Sequence, residues 1–187
     1  MLRKTLILAA ISALLLCSCK KTKQPDSETE KGGKMQIKIT SSAFEDGALI
    51  PPKYTCDAED VSPPLQWDQP GENTKSLALI CDDPDAPAGT WVHWVLYNLP
   101  PDTTQLPENI PPDKTLTNQA NQGTNDFRRI GYGGPCPPGG THRYFFKIYA
   151  LDTIVDLSPG ATKSQLLDAA GGHIIATGEL MGKYKRQ

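Results

Sequence analysis

Five Pro-Pro pairs divide the chain into short segments, and they constrain the fold more than any other feature of the sequence. The pairs begin at positions 51, 63, 100, 111 and 137. Proline lacks the backbone N–H that a helix interior or a central strand needs, so each pair marks a loop or a strand end. Apolar runs lie between the pairs, which excludes collagen-like and fully disordered chains. The pattern favours short strands joined by loops.

The apolar runs predict strands, and one later segment predicts a helix. Residues 35–40 alternate apolar and polar, and three further runs are apolar or rich in aromatic and β-branched residues. These runs are 77–81, 91–97 and 144–151, and a final strand is expected over 173–184. Thr162 and Gln165 form a capping box before a helix over 163–170, which Gly171 and Gly172 end. We therefore predict an all-β fold, an antiparallel two-sheet β-sandwich with one short helix near the C-terminus.

The first 18 residues have the features of a bacterial lipoprotein signal peptide. Arg3 and Lys4 precede an apolar stretch over 5–16, which is shorter than the roughly 20 residues that span a bilayer. The sequence Leu-Cys-Ser-Cys at 16–19 resembles a lipobox, in which Cys19 would be lipidated. An ordinary secretory signal with incidental cysteines is the alternative. We expect a lipid-anchored envelope protein, with palmitate among its acyl chains and the outer membrane slightly favoured.

Residues 19–34 are polar and almost free of large apolar side chains, so we predict a disordered tether. The folded domain is expected over 35–187. The formal charge of the chain is −2, which does not suggest a basic face for nucleic acid.

Three cysteines remain after the lipobox. Cys81 lies in an apolar run and is expected to be a buried small side chain. Cys56 and Cys136 both lie in loops, and export would allow them to form a disulfide. From the sequence alone, a bridge between them and a pair of free thiols are both open.

Three distant segments carry polar side chains that could form a site. Asp82–Pro87 is an acidic loop stiffened by two prolines, although a solvated acidic turn would look the same. The strand 91–97 contains His93, and a period of two would place Trp91, His93, Val95 and Tyr97 on one face. A buried histidine needs a partner, but a core histidine with a structural hydrogen bond satisfies that need equally well.

The third segment is a Gly/Pro-rich loop over 131–141 that leads into His142, Arg143 and Tyr144. Glycines allow a close approach of backbone and ligand, and successive N–H groups can hold an anion. A long surface turn is the alternative. A period of two predicts that His142 and Tyr144 face the same side.

Four of these motifs in this order resemble the phosphatidylethanolamine-binding protein family, also called Raf kinase inhibitor-like proteins. They are DPDAP at 83–87, WVHWVLYNLP at 91–100, GTNDF at 123–127 and GYGGPCPPGGTHRYFFKIYALD at 131–152. Together with 54–67, they look most like the prokaryotic branch. The resemblance implies a sandwich with a small pocket at one end for phosphate-like anions and phospholipid headgroups. The implied ligand-binding residues are Asp83, His93, Gly134, Pro135, His142 and Tyr144, with Trp91 beside His93 on the predicted face.

The resemblance also implies a cis Ala86–Pro87 bond and a role of Asp85 in loop structure. We expect Asp83 to orient His93 and to raise the basicity of both histidines, so that anion affinity falls as pH rises above their pKa values. The favoured function is a binding module without enzymatic activity or cofactor, which could also inhibit or regulate a partner protein. The alternative is a hydrolase or metalloenzyme that uses His93, His142 and Asp83.

Overall fold

The computed structural model describes residues 35–186, and within them nine strands form two sheets. The strands are β1 (Met35–Gln36), β2 (Ile39–Thr40), β3 (Leu65–Trp67), β4 (Ser76–Asp83), β5 (Trp91–Leu99), β6 (Gln105–Leu106), β7 (Asn121–Gln122), β8 (His142–Leu151) and β9 (Ile174–Tyr184). The large sheet has the order β1-β9-β8-β4-β5-β7 and the small sheet the order β2-β3-β6. This confirms the predicted two-sheet β fold. The predicted signal peptide (1–18) and tether (19–34) lie outside the described residues.

The main core lies between the two sheets. Alternate residues of β4 and β8 point into it, including Leu79, Phe146 and Ile148, and the small sheet contributes Leu65 and Trp67. Cys81 is fully buried with a free thiol, as the apolar run around it predicted.

One helix covers the outer face of the large sheet. Helix α1 (Lys163–Ala169) begins at Thr162, whose side chain accepts from the Gln165 backbone while the Gln165 side chain reaches back, so the predicted capping box is confirmed. Leu166 and Ala170 pack against the sheet in a second apolar cluster. Among residues 35–186, no helix is long and apolar enough to cross a membrane.

The segment 35–40 is two short strands rather than the single strand predicted. β1 pairs in parallel with β9 in the large sheet, whereas β2 pairs antiparallel with β3 in the small sheet. The chain crosses between the sheets at Ile37. A β-carbon on Gly178 would lie only 2.0 Å from the Ile37 carbonyl oxygen. Gly178 therefore permits this crossing.

Candidate functional site

A cavity of about 250 Å³ lies where three strands of the large sheet meet their loops. β4 ends there at Asp83, β5 begins at Trp91 opposite it, and β8 begins at His142. The three segments predicted from the sequence to carry a site are therefore brought together. The cavity is lined by Asp83, Ala86, Pro87, Ala88, Trp91, His93, Phe127, Cys136, Pro137, Pro138 and His142.

Asp83 and His142 form a buried pair at the base of the cavity. The Asp83 Oδ2 and His142 Nδ1 atoms are 2.7 Å apart, and the two residues are 3% and 7% exposed. Asp83 Oδ1 also accepts the Asp85 N–H at 2.8 Å, so the turn after β4 fixes the carboxylate. A carboxylate accepts, so Nδ1 of His142 donates and Nε2 is the ring nitrogen left for other contacts.

A β-bulge in β5 turns His93 toward this pair. Cys81 pairs with Trp94 and Asp82 with Val92, which leaves His93 as an extra residue in β5. The predicted face of Trp91, His93, Val95 and Tyr97 is therefore wrong. Val95 and Tyr97 pack in the cluster under α1, whereas Trp91 and His93 line the cavity.

Asp83 orients His142 and not His93, contrary to the prediction. His93 Nδ1 lies 2.6 Å from the Gly133 carbonyl oxygen, and the Gly133 N–H donates to the His93 carbonyl at 2.9 Å. Burial lowers the pKa of His93 below 6.5, and the Gly133 carbonyl and the Asp83 charge offset only part of this effect. The expected gain in basicity is therefore wrong for His93.

Gly134 and Pro135 are not among the residues that line the cavity. The Gly134 N–H donates to Asp60 Oδ1 at 2.6 Å, and the Pro135 carbonyl accepts from the Cys56 N–H. A side chain at Gly134 would meet Asp60 Oδ1 at 2.6 Å and Thr55 Cα at 2.7 Å. The Gly134 N–H is therefore already bonded within the chain, and the binding of a ligand by the backbone of this loop stays a prediction.

The comparisons with known proteins agree with this fold. Residues 40–185 match the family described as phosphatidylethanolamine-binding protein. The chain belongs to this family.

The relatives and solved structures of this family cover most of the chain. A UPF0098 protein of Methanothermobacter thermautotrophicus is 54% identical over 151 residues, which is 80% of this chain and 99% of that protein. The structure of a Chlamydia trachomatis protein described as a phosphatidylethanolamine-binding protein homologue has a TM-score of 0.75 at 44% identity, covering 81% of this chain and 99% of that one. Escherichia coli YBCL, described as a member of the mammalian family, also has a TM-score of 0.75, at 33% identity, with coverage of 81% and 99%.

Two hydrogen-bond donors in or next to the cavity have no acceptor among residues 35–186. They are Trp91 Nε1 and Tyr144 Oη, and both atoms are buried. Tyr144 does not line the cavity but packs edge-on against the His93 ring at 5.1 Å, and burial and the Asp83 charge raise its pKa. His142 and Tyr144 lie on the same side of β8, as predicted. Unpaired buried donors are uncommon, and a third one, Thr74 Oγ1, does not line the cavity.

Phe127 forms an aromatic wall that the site prediction missed. Its ring packs edge-on against Trp91 and His93 at 5.4 and 5.3 Å. The Arg129 guanidinium lies 5.3 Å from the ring centre, and Arg129 in turn pairs with Asp60 at 3.0 Å. The GTNDF motif contains Phe127. Neither the hydrophobic period nor the turn residues around Phe127 show whether its ring lines a pocket or only anchors a loop.

Two further contacts hold the loops around the cavity. A disulfide joins Cys56 and Cys136, with their Cα atoms 5.4 Å apart, and Cys136 lines the cavity. Asp85 accepts the Arg143 side chain through two hydrogen bonds, which lower the pKa of Asp85 to about 2. Asp85 therefore has the structural role predicted for it.

All peptide bonds of residues 35–186 are trans, so the expected cis Ala86–Pro87 bond is wrong. The turn is closed by a hydrogen bond from the Gly89 N–H to the Ala86 carbonyl oxygen.

Proposed function

We propose that the protein is a binding module for a small phosphate-bearing ligand, either a free anion or a phospholipid headgroup. The observation that carries the proposal is the buried Asp83–His142 pair beside His93 in one small cavity. Membership of the family is consistent with a ligand-binding role.

His142 is the group proposed to meet the negative charge of the ligand. Its Nδ1 is held by Asp83, so a protonated ring would offer Nε2–H to a phosphate oxygen. Charge-assisted hydrogen bonds of this kind are about twice as strong as neutral ones, and burial reduces competition from water. The Asp83 carboxylate would orient the ring without touching the ligand.

The remaining walls suit the organic part of a small ligand. Trp91, Phe127, Pro87 and Pro137 present apolar surface around the polar base. A volume of about 250 Å³ lies below the range of roughly 300–1,000 Å³ for drug-sized sites. The pocket would therefore accept a headgroup or small anion and leave acyl chains outside.

The proposal is tested with O-phosphoethanolamine and inorganic phosphate as probes. Calorimetry should detect binding at pH 6, and soaked crystals should show the phosphate against His142. Asp83→Asn and His142→Gln should each weaken binding by about 10- to 100-fold, as expected for a lost hydrogen bond to a charged group.

The matched control is the Asp152–His173 pair, whose Asp–His distance of 2.8 Å is similar but whose side chains are exposed. Asp152→Asn and His173→Gln should leave both affinities unchanged. Equal affinities for wild type, Asp83→Asn and His142→Gln would rule out the pocket as the binding site.

The competing function, a hydrolase or metalloenzyme that uses His93, His142 and Asp83, has less support. In the part of the chain that the structure describes, no group of three His, Cys, Asp or Glu side chains is arranged to hold a metal. The Gly133 carbonyl occupies His93 Nδ1. Release of phosphate from the bound probe, or a stoichiometric transition metal in purified protein, would favour the enzyme.

We also make two further proposals. The first is that a lipid on Cys19 anchors the protein to the cell envelope. The second is that the pocket rim contacts a partner protein. The lipobox-like sequence before Lys20 supports the anchor. Incorporation of labelled palmitate into wild type but not into Cys19→Ala tests it. Capture of a partner by wild type but not by His142→Ala tests the second proposal.

A further inference from the structure

The hydrogen bonds of His93 leave its Nε2 as an unused acceptor in a ring that lines the cavity. Nδ1 lies 2.6 Å from the Gly133 carbonyl oxygen, which can only accept, so Nδ1 carries a proton. In the neutral ring, Nε2 then bears a lone pair. Within residues 35–186, no donor forms a hydrogen bond with this nitrogen, and the ring lines the cavity.

Burial opposes a second ring proton on His93 and outweighs the surrounding groups that favour one, which are the Gly133 and Gly134 backbone and the carboxylates of Asp83 and Asp126. Asp83 on β4 is already bonded to His142 and to the Asp85 N–H, and Asp126 Oδ2 accepts the Val92 N–H at 2.7 Å. The ring is 2% exposed, and burial lowers its pKa despite the two carboxylates. The other titratable side chains that face it are His142 and Tyr144 of β8.

We propose that the pocket selects a phosphate monoester in its protonated, singly charged form. The P–O–H group donates to His93 Nε2 while an unprotonated oxygen accepts from His142. This inference rests on the proposed function, since it requires phosphate to occupy the pocket. A sulfate ester and a phosphodiester, such as a phospholipid headgroup, offer only acceptors, so each would face the His93 lone pair with another lone pair. Of the two ligands of the proposed function, this inference therefore selects the free phosphate monoester. A site built to pair with a hydrogen-bonding group discriminates strongly against an analogue that lacks it.

Methyl phosphate and methyl sulfate form a matched pair of probes. At pH 5 both carry one negative charge and have the same shape, but only methyl phosphate has an O–H. We expect methyl phosphate to bind at least about tenfold more tightly at pH 5. The ratio of the two affinities should fall toward pH 8, because a phosphate monoester loses its proton with a second pKa of about 6. Measuring the ratio cancels every pH dependence that the two probes share.

The variant His93→Phe keeps the aromatic contacts of the ring and removes the acceptor. It should bring the affinity ratio at pH 5 close to one, whereas His173→Gln should leave the ratio as in wild type. If His93→Phe does not fold, ¹⁵N NMR of histidine-labelled wild type gives the answer directly. The His93 ring should be protonated at Nδ1 alone at pH 7.

Equal affinities for the two methyl esters at pH 5 would overturn this inference, and so would a doubly protonated His93 at pH 7. Either result leaves the proposed function intact if O-phosphoethanolamine still binds in the pocket. Failure of every phosphate probe to bind at any pH would instead remove the proposed function itself.

Discussion

At the scale of single residues, the hydrogen-bond partner distinguishes the two buried pocket histidines. His142 faces a carboxylate at 2.7 Å, whereas His93 faces a carbonyl oxygen at 2.6 Å. A carbonyl fixes the tautomer of an imidazole but compensates a buried charge less than a carboxylate does. The two rings line one cavity but have different partners, and burial lowers the pKa of His93.

The neutral His93 has a consequence for stability against acid. Its pKa is lowered in the folded protein and is about 6.5 in the unfolded chain. The unfolded chain therefore takes up a proton first as pH falls below 6.5, and stability is lost there. The free energy of unfolding should fall by up to about 1.4 kcal/mol per pH unit through this residue.

Urea unfolding between pH 7.5 and pH 5 measures this contribution. The comparison is between wild type and His93→Phe, because subtracting the two curves cancels the other titrating groups. The wild-type protein should lose more stability than the variant below pH 6.5. Parallel curves would show that His93 takes up its proton equally well in the folded and unfolded states.

At the scale of elements, close contact between two loops builds the back of the pocket. The segment 54–60 meets the loop 131–138 through the disulfide, the Cys56 N–H and the Asp60 carboxylate. Asp60 adopts a left-handed backbone with φ of 56°, which aspartate tolerates better than most residues. This carboxylate holds the Gly134 N–H and Arg129, and Arg129 lies against the Phe127 wall.

Two glycines of the same loop give opposite predictions for substitution. Gly134→Ala should destabilise the protein by about 1–3 kcal/mol, because the new methyl group would meet three atoms at 2.6–2.7 Å. Gly139→Ala is the control, since no atom lies within 4 Å of its side-chain position. Its effect should stay within about 0.5 kcal/mol. Denaturant unfolding checks both, and equal effects would contradict the contact between the two loops.

At the scale of the whole molecule, the disulfide links residues that are 80 positions apart in sequence. Replacing Cys56 and Cys136 with serine should cost about 2–4 kcal/mol, because the crosslink restricts the unfolded chain. Adding reductant should lower the melting temperature of wild type and leave the double variant unchanged. In residues 35–187 expressed alone, two reactive thiols in the native, unreduced protein would contradict the bridge.

The sequence alone determined the class of fold and the segments that carry the site. Pro-Pro pairs and apolar runs located the long strands, and the capping box of Thr162 and Gln165 located the helix, because these signals act within a few residues of the chain. The order of DPDAP, His93 and HRY indicated the family and named Asp83, His93 and His142. Short strands such as β6 and β7 carried too few residues to show a period.

Only the tertiary structure decided the partners of those side chains. The bulge that turns His93 toward the pocket depends on the register of β5 against β4, which a period of two along one strand cannot express. Asp83 forms a hydrogen bond with His142 because β8 lies beside β4, whereas His93 on β5 forms its hydrogen bond with the Gly133 carbonyl oxygen. Contacts between segments far apart in sequence depend on packing, so strand register and loop packing determined which side chains meet in the cavity.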